Sequence, residues 1–160
     1  MRVMIIALIS TLAMPAVARA DWAYTKWDMT PEQVVSASKG SVAMIPKEER
    51  NNFPGIPLDN AARGSFSDGT LKMLVSFAFD TNTNGLICVY YRVLDPRQST
   101  TLRDAMIKRY GAGHHKTAQE SESKNEEYEW ATPDLITLYL PPGDLDGATV
   151  NHCKPGSRYH

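Results

Sequence analysis

The chain has 160 residues, 42% of them hydrophobic, and its 17 basic and 18 acidic residues give a formal net charge of −1. This near-neutral balance excludes proteins that bind nucleic acid or anionic membranes through a large net positive charge. The length suits one domain with a sizeable hydrophobic core.

The first 20 residues have the organisation of a signal peptide. Arg2 supplies a positive start, an apolar run follows at Val3–Ala13, and A-R-A at 18–20 is a cleavage signal. Cleavage between Ala20 and Asp21 would remove two basic residues and no acidic one, which leaves 15 basic and 18 acidic residues, a balance of −3. We therefore predict a single domain, residues 21–160, that is periplasmic or secreted. It would have no membrane span and no nucleic-acid partner.

Three large aromatic residues, Trp22, Tyr24 and Trp27, follow the predicted cleavage site. Large aromatic side chains are mostly buried in folded proteins, so packing against the core is the favoured interpretation. The alternative is an exposed aromatic patch that contacts a partner. On that alternative these three residues are the candidate binding residues.

The next stretch predicts a short helix over 31–39. Thr30 can cap this helix, Pro31 suits its first position, and Gln33 completes a capping box. Gly40 is the expected left-handed stop. A helix this short is not stable alone, so it must pack on another element.

Residues 41–60 contain three prolines and predict irregular chain with a short strand at 42–45. A weak strand is predicted at 61–66, followed by a two-residue hairpin turn at Asp68-Gly69. Such a turn places Phe66 opposite Leu71 and keeps the apolar side chains on one face.

The stretch 71–93 predicts a hairpin that carries most of the core. The apolar residues of its first arm alternate with other residues and therefore share one face: Leu71, Met73, Val75, Phe77 and Phe79. In the second arm, alternation places one set on one face, Ile87, Val89, Tyr91 and Val93. The other set falls on the opposite face: Leu86, Cys88, Tyr90 and Arg92.

The loop between these arms decides which side chains meet. A two-residue turn would set Phe77 opposite Arg92, whereas a loop of three or five residues sets it opposite Tyr91 or Val89. The hydrophobic pattern therefore predicts an odd-length loop, with Gly85 at positive φ.

The same loop resembles part of a calcium site. Asp80–Ile87 matches the first eight positions of an EF-hand loop. Position twelve would be Tyr91, where that loop needs a bidentate Glu, and a strand precedes it in place of a helix. We interpret the segment as an Asn/Gly-rich turn and predict no metal site and no cofactor.

A second helix is predicted from Ser99, Thr100 or Thr101 through Tyr110, with Gly111 as its stop. Further strands are predicted at 113–120, around 128–130, at 135–140 and at 148–153. The predicted fold class is α+β, with antiparallel β-sheet meanders and two short helices packed on one face. The predicted order is helix, meander, helix, meander.

The two cysteines, Cys88 and Cys153, predict one disulfide in an oxidising compartment. Such a bond would contribute about 4 kcal/mol in the chain-entropy account. The alternative is a cysteine nucleophile with His152 as its base, but neighbours in a strand point to opposite faces.

The candidate residues for a catalytic function are His114 and His115, together with the carboxylates between Glu120 and Glu129. They could serve a small hydrolase or a metal-dependent enzyme if they converge in one cleft. No zinc-ligand spacing or common catalytic motif is present, so we expect a non-catalytic protein and assign no catalytic residue.

The segment Trp27-Asp28-Met29-Thr30-Pro31-Glu32-Gln33-Val34 resembles a W-G-M-[S/T]-x-E-x-V opening found in small exported bacterial proteins of unknown function. The element order is similar in layout to the β-lactamase-inhibitor-protein-like group and to small envelope-assembly lipoproteins. Asp28 stands in place of the Gly, and no cysteine lies at the cleavage site to carry a lipid. The resemblance implies an exported protein and carries over no site residue. The export signal, the N-terminal aromatic residues, the long proline-rich loop and the absence of a catalytic motif lead us to expect a non-catalytic protein that binds another protein or an envelope component.

Overall fold

The structure, a computed structural model, describes residues 22–50, 55–131, 133–143 and 146–157. The predicted signal peptide and its cleavage site lie outside these ranges. The described elements, in chain order, are α1 (Pro31–Ala37), β1 (Val42–Met44), β2 (Leu58–Asp68), β3 (Leu71–Asp80), β4 (Leu86–Val93), α2 (Ser99–Tyr110), β5 (His114–Lys116), β6 (Glu126–Trp130), β7 (Leu135–Leu140) and β8 (Thr149–Cys153). Short 3-10 turns lie at Lys47–Glu49 and Pro96–Gln98.

The eight described strands form one sheet in the order β1-β2-β3-β4-β8-β7-β6-β5, and every neighbouring pair is antiparallel. The pairing of β4 with β8 joins a first group of four strands to a second. The mixed α+β class predicted from the sequence is confirmed. Within the described ranges, no helix combines the length and apolar character needed to cross a bilayer.

Helix α1 begins as predicted. The Thr30 hydroxyl accepts from the Gln33 N–H, and the Gln33 side chain accepts from the Thr30 N–H at 2.9 Å. The helix ends at Ala37, two residues earlier than predicted, because both Lys39 and Gly40 adopt positive φ.

The turn between β2 and β3 lies one residue later than predicted. Asp68 pairs with Leu71, so the central residues are Gly69 and Thr70. Gly69 alone has positive φ, at 57°, which is the first-position glycine preferred in a type II′ turn. The shift moves the register by two residues, so Phe66 faces Met73 and the apolar face is preserved.

The loop between β3 and β4 spans residues 81–85, so its predicted odd length is confirmed and Phe77 pairs with Val89. Two details differ from the prediction. The positive φ lies at Asn84, at 58°, and not at Gly85. A bulge at Ile87 points the Leu86 side chain into the main core. It places Ile87 beside a second buried cluster, which contains Cys88 and Cys153 and is called the disulfide cluster.

The N-terminal segment explains these details. The Asp28 N–H donates to the Leu86 carbonyl at 3.1 Å, and the Leu86 N–H donates to the Met29 carbonyl at 2.8 Å. A Cβ at Gly85 would lie 3.1 Å from the Asp28 Cα. The glycine therefore permits this close approach of two backbones rather than a left-handed turn.

Helix α2 spans the predicted residues and ends at Gly111, which has φ 89°. Leu102 and Met106 are buried in the main core, whereas Ala105 is exposed. The Ser99 hydroxyl accepts from the Ala148 N–H at 3.0 Å and so fastens the start of the helix to the approach of β8.

Cys88 and Cys153 lie directly opposite each other on β4 and β8, and the structure confirms their pairing as a disulfide. Their Cα atoms are 4.1 Å apart, and both side chains are fully buried. The bond fastens the last strand to the central hairpin at the seam between the two groups of strands.

Candidate binding face of the sheet

One face of the sheet carries the main hydrophobic cluster, which includes Phe77, Val89 and Val150. Because side chains alternate along each strand, the residues between them project from the opposite face. We call this opposite face the open face. Strand register arranges two rows of its side chains across the sheet, beside a further row in which Ala78, Cys88, Cys153 and Leu135 form the disulfide cluster.

The first row contains Ala43, Arg63, Ser76, Tyr90, Asn151, Thr137, Glu129 and His114. The second row contains Ser65, Leu74, Arg92, Thr149, Tyr139, Glu127 and Lys116. The arginines of these rows lie on β2 and β4 and the glutamates lie on β6, with His114 and Lys116 beyond them on β5. The arginines and the glutamates are therefore separated along the open face.

A groove of about 770 Å³ lies on the basic part of this face. Its lining includes Arg63, Leu74, Ser76, Tyr90 and Arg92. Leu74 is 42% exposed, which is high for a large aliphatic side chain, and Tyr90 is half-buried. Burial, followed by the nearby Tyr139, raises the pKa of Tyr90 above its ordinary range, so its hydroxyl stays protonated at neutral pH.

The two arginines differ in their partners. Arg63 donates to the Glu49 carboxylate at 2.9 Å, and both side chains are more than half exposed. Arg92 is exposed, and within the described ranges it has no ion-pair partner. The groove therefore presents one free guanidinium and one held by a replaceable surface carboxylate.

The glutamates of the open face are held by neighbouring side chains. Glu127 is buried and accepts hydrogen bonds from the Ser121 and Ser123 hydroxyls. Burial acts to raise the pKa of Glu127, but these hydroxyls outweigh it, and the net pKa lies below its usual range. Glu129 pairs with Lys116 at 2.7 Å. Within the two rows, as far as the structure describes them, Arg92 is therefore a cation without an ion-pair partner, whereas Glu127 is a carboxylate held by hydroxyl groups.

The adjacent histidines are not brought together. His114 projects from the open face, with its Nδ1 3.6 Å from the Glu129 carboxylate. His115 projects from the other face, stacks on Tyr128 at 4.5 Å, and lies 2.9 Å from the Glu126 carboxylate. The two histidines therefore do not converge on one site. Three of the carboxylates, Glu120, Glu122 and Glu127, line a separate cavity of about 400 Å³ together with Lys116.

The side chains of the calcium-like loop form hydrogen bonds within the turn itself. The Asp80 carboxylate accepts from the Asn82 N–H at 2.8 Å and the Thr83 N–H at 3.0 Å. The bond from Thr83 has the larger effect, and together the two bonds hold the pKa of Asp80 below its ordinary value. In the part of the chain that the structure describes, no group of three or more His, Cys, Asp or Glu residues could hold a metal ion.

The three aromatic candidates near the N-terminus lie against the core. Trp22 is 6% exposed, and its ring contacts Phe66 and Phe77. Tyr24 and Trp27 are partly buried beside the same cluster. Packing therefore accounts for their contacts, and none of the three is among the described residues that line the groove.

A buried polar pair was not identified from the sequence. His152 Nε2 and Asp134 Oδ2 lie 2.7 Å apart with both side chains almost fully buried, and Trp27 donates to Asp134 Oδ1 at 3.1 Å. Alternation along β8 places His152 on the same face as Val150, so the burial of His152 could have been predicted from the sequence pattern. Asp134 lies in the connection before β7, where no periodic pattern applies.

Comparison of the chain with known protein families, curated proteins and solved structures finds no match. The resemblance of the Trp27–Val34 segment to exported bacterial proteins therefore stays a prediction. The function must be argued from the geometry of the open face.

Proposed function

We propose that this chain is an exported, non-catalytic protein that binds another protein through the open face of its sheet. The observation that carries the proposal is the 770 Å³ groove, in which exposed Leu74 and half-buried Tyr90 lie between two arginines. Tyrosine and arginine are enriched at protein interfaces, where they often dominate the binding free energy.

The placement of the helices supports this proposal. Val34 of α1 and Leu102 and Met106 of α2 belong to the main hydrophobic cluster, together with Phe77 of the sheet. We infer that both helices cover that face and leave the open face for a partner.

The chemistry of the groove favours binding over catalysis. General acid–base catalysis most often uses His, Asp, Glu, Lys or Cys, and no residue of these types is among the described residues that line the groove. Tyr90 is the titratable group with the closest relation to such chemistry, and its raised pKa keeps it neutral. The groove can therefore offer a binding partner a concave surface, apolar contact, hydrogen bonds and positive charge.

The proposed compartment is the periplasm or the exterior. The disulfide between Cys88 and Cys153 is typical of oxidising compartments, and the predicted signal peptide supplies the route. An envelope component other than a protein remains a second class of ligand. A protein is favoured because the two rows extend over many strands, a longer surface than a small ligand requires.

The proposal is tested by filling the groove. Ser76→Trp places a large side chain at the centre of the lining, whereas Ser67→Trp places the same side chain on the same face outside it. The purified variants would be used to capture proteins from the exported fraction of the producing cell. We expect a protein captured by wild type and Ser67→Trp to be lost with Ser76→Trp. Equal capture by all three, or none by wild type, would contradict the proposal.

A further inference from the structure

We infer that the segment bound in the groove is an extended, acidic segment of another protein, with two carboxylates about four residues apart. This inference rests on the proposed function and names the chemistry of the partner. It is carried by the separation of Arg63 and Arg92 and by the charge of the groove. Although the predicted mature chain has an excess of acidic residues, the lining contains two arginines and no carboxylate among the described residues.

The spacing follows from strand register. Arg63 pairs with Ser76, Ser76 pairs with Tyr90, and Arg92 lies two residues beyond Tyr90 on the same strand. Two strand spacings and two residue rises place the Arg63 and Arg92 Cα atoms about 12 Å apart. In an extended segment, residues four apart face the same side at about 13 Å. One such segment can therefore offer a carboxylate to each guanidinium.

The residues between the arginines suit the middle of that segment. Leu74 lies beside Arg92 and Ser76 beside Arg63, so apolar surface and a hydroxyl lie between the two charges. The residue midway between the two acids would face the same side as they do and contact Leu74 and Tyr90. An aliphatic residue there buries apolar surface, which adds affinity without a charge.

Glu49 shows how a carboxylate engages this site. It lies on the 3-10 turn Lys47–Glu49 and accepts from Arg63 at 2.9 Å, although both side chains are largely exposed. An exposed ion pair of this kind contributes little net free energy, so a partner's carboxylate can replace Glu49. Glu49 is therefore a competitor for the partner, and its removal should strengthen binding.

The first test uses defined peptides and the intact mature chain. The probe is a fluorescent peptide that contains Glu-Thr-Leu-Thr-Glu, titrated by anisotropy, with Gln-Thr-Leu-Thr-Gln as its neutral match. We expect the acidic peptide to bind about tenfold or more tightly than the neutral one, the size of a charged hydrogen bond. Added salt should weaken the acidic peptide's binding because the groove is exposed.

Variants locate the interaction. Arg92→Gln should reduce the preference for the acidic peptide about tenfold, and Glu49→Gln should raise its affinity several-fold. Lys72→Gln is the matched control, since it removes one positive charge from the same face outside the lining, and it should change affinity less than about twofold. Circular dichroism would verify that each variant is folded.

The outcomes separate this inference from the proposed function. Equal binding of the neutral peptide, lost with Ser76→Trp, would overturn the acidic assignment and leave the groove as a protein-binding site. Binding of phosphatidylglycerol vesicles in place of the peptides, dependent on Arg92, would overturn it in favour of a lipid surface. Self-association lost with Arg92→Gln would assign the groove to a second copy. No preference for the acidic peptide in any arm would also overturn it.

Discussion

Replacement of Asp134 tests whether the buried polar pair stabilises the fold. The Asp134 and His152 side chains are 2% and 1% exposed, and their Oδ2 and Nε2 atoms lie 2.7 Å apart. Asp134 also accepts from Trp27 Nε1 at 3.1 Å. His152 Nδ1 is buried and has no hydrogen-bond partner among the described residues. Asp134→Ala therefore leaves the imidazole without a polar contact inside the protein.

The expected loss of folding free energy follows from these contacts. Removal of one member of a buried pair costs about 3–5 kcal/mol, and a buried group left unpaired costs about 1–3 kcal/mol. Trp27 is only partly buried, so its N–H can turn toward water and reduce the loss. We expect Asp134→Ala to lower the free energy of unfolding by about 3 kcal/mol. Asp134→Asn keeps an acceptor for Trp27 and a donor for the imidazole, so it should cost about 1 kcal/mol.

Urea unfolding with the disulfide intact measures these losses. The midpoint should fall while the dependence on urea concentration stays unchanged. Asp68→Ala, at an exposed position beside the β2–β3 turn, is the matched control and should change stability by less than about 0.5 kcal/mol. If Asp134→Ala is as stable as this control, the pair does not stabilise the fold.

Three further predictions concern the disulfide, one close backbone contact and one buried tyrosine. The double change Cys88→Ala and Cys153→Ala opens a loop with a sequence separation of 65 and should cost about 4 kcal/mol in urea unfolding; an unchanged midpoint would contradict this. Gly64→Ala would place a Cβ 2.0 Å from the Ser41 carbonyl oxygen, so β1 must shift at a cost of about 2 kcal/mol, whereas neighbouring, exposed Ser65→Ala should be nearly neutral. Burial raises the pKa of Tyr91 above its ordinary value of 10.0. The stabilisation that this neutral buried side chain gives the fold is therefore fully present below pH 10. It is lost as the pH rises above 10, because Tyr91 ionises first in the unfolded chain. Unfolding measured from pH 8 to 11 should show this decline, and Tyr91→Phe should reduce it; an unchanged slope in Tyr91→Phe would refute the assignment.

Local patterns predicted much of the first half of the fold. The pairing of Phe77 with Val89 agrees with the alternation, because a two-residue turn would have opposed Phe77 to Arg92. The capping box at Thr30 followed from residue types at fixed offsets. Each of these features depends on residues close together in the chain.

The details that were missed depend on contacts distant in sequence. The bulge at Ile87 and the absence of positive φ at Gly85 arise where the chain at Asp28 and Met29 pairs with the start of β4. Nothing within the hairpin itself encodes that contact.

The candidate site was predictable only in part. Alternation had placed Tyr90 and Arg92 on the face of Cys88, and the predicted bond to Cys153 linked that face to the last strand. With Cys88 opposite Cys153, antiparallel counting pairs Tyr90 with Asn151. The position of Arg63 could not be obtained this way, because the predicted β2–β3 turn was displaced by one residue.

The central claim, that the open face binds a partner, is tested most directly by site-specific photo-crosslinking in the producing cell. A photoreactive residue at Leu74 in the groove would be compared with one at Lys108 on the exposed surface of α2. The account predicts a crosslinked partner from position 74, none from position 108, and loss of the product when Arg63 and Arg92 are both changed to Gln. No product from position 74, or the same product from position 108, would contradict it.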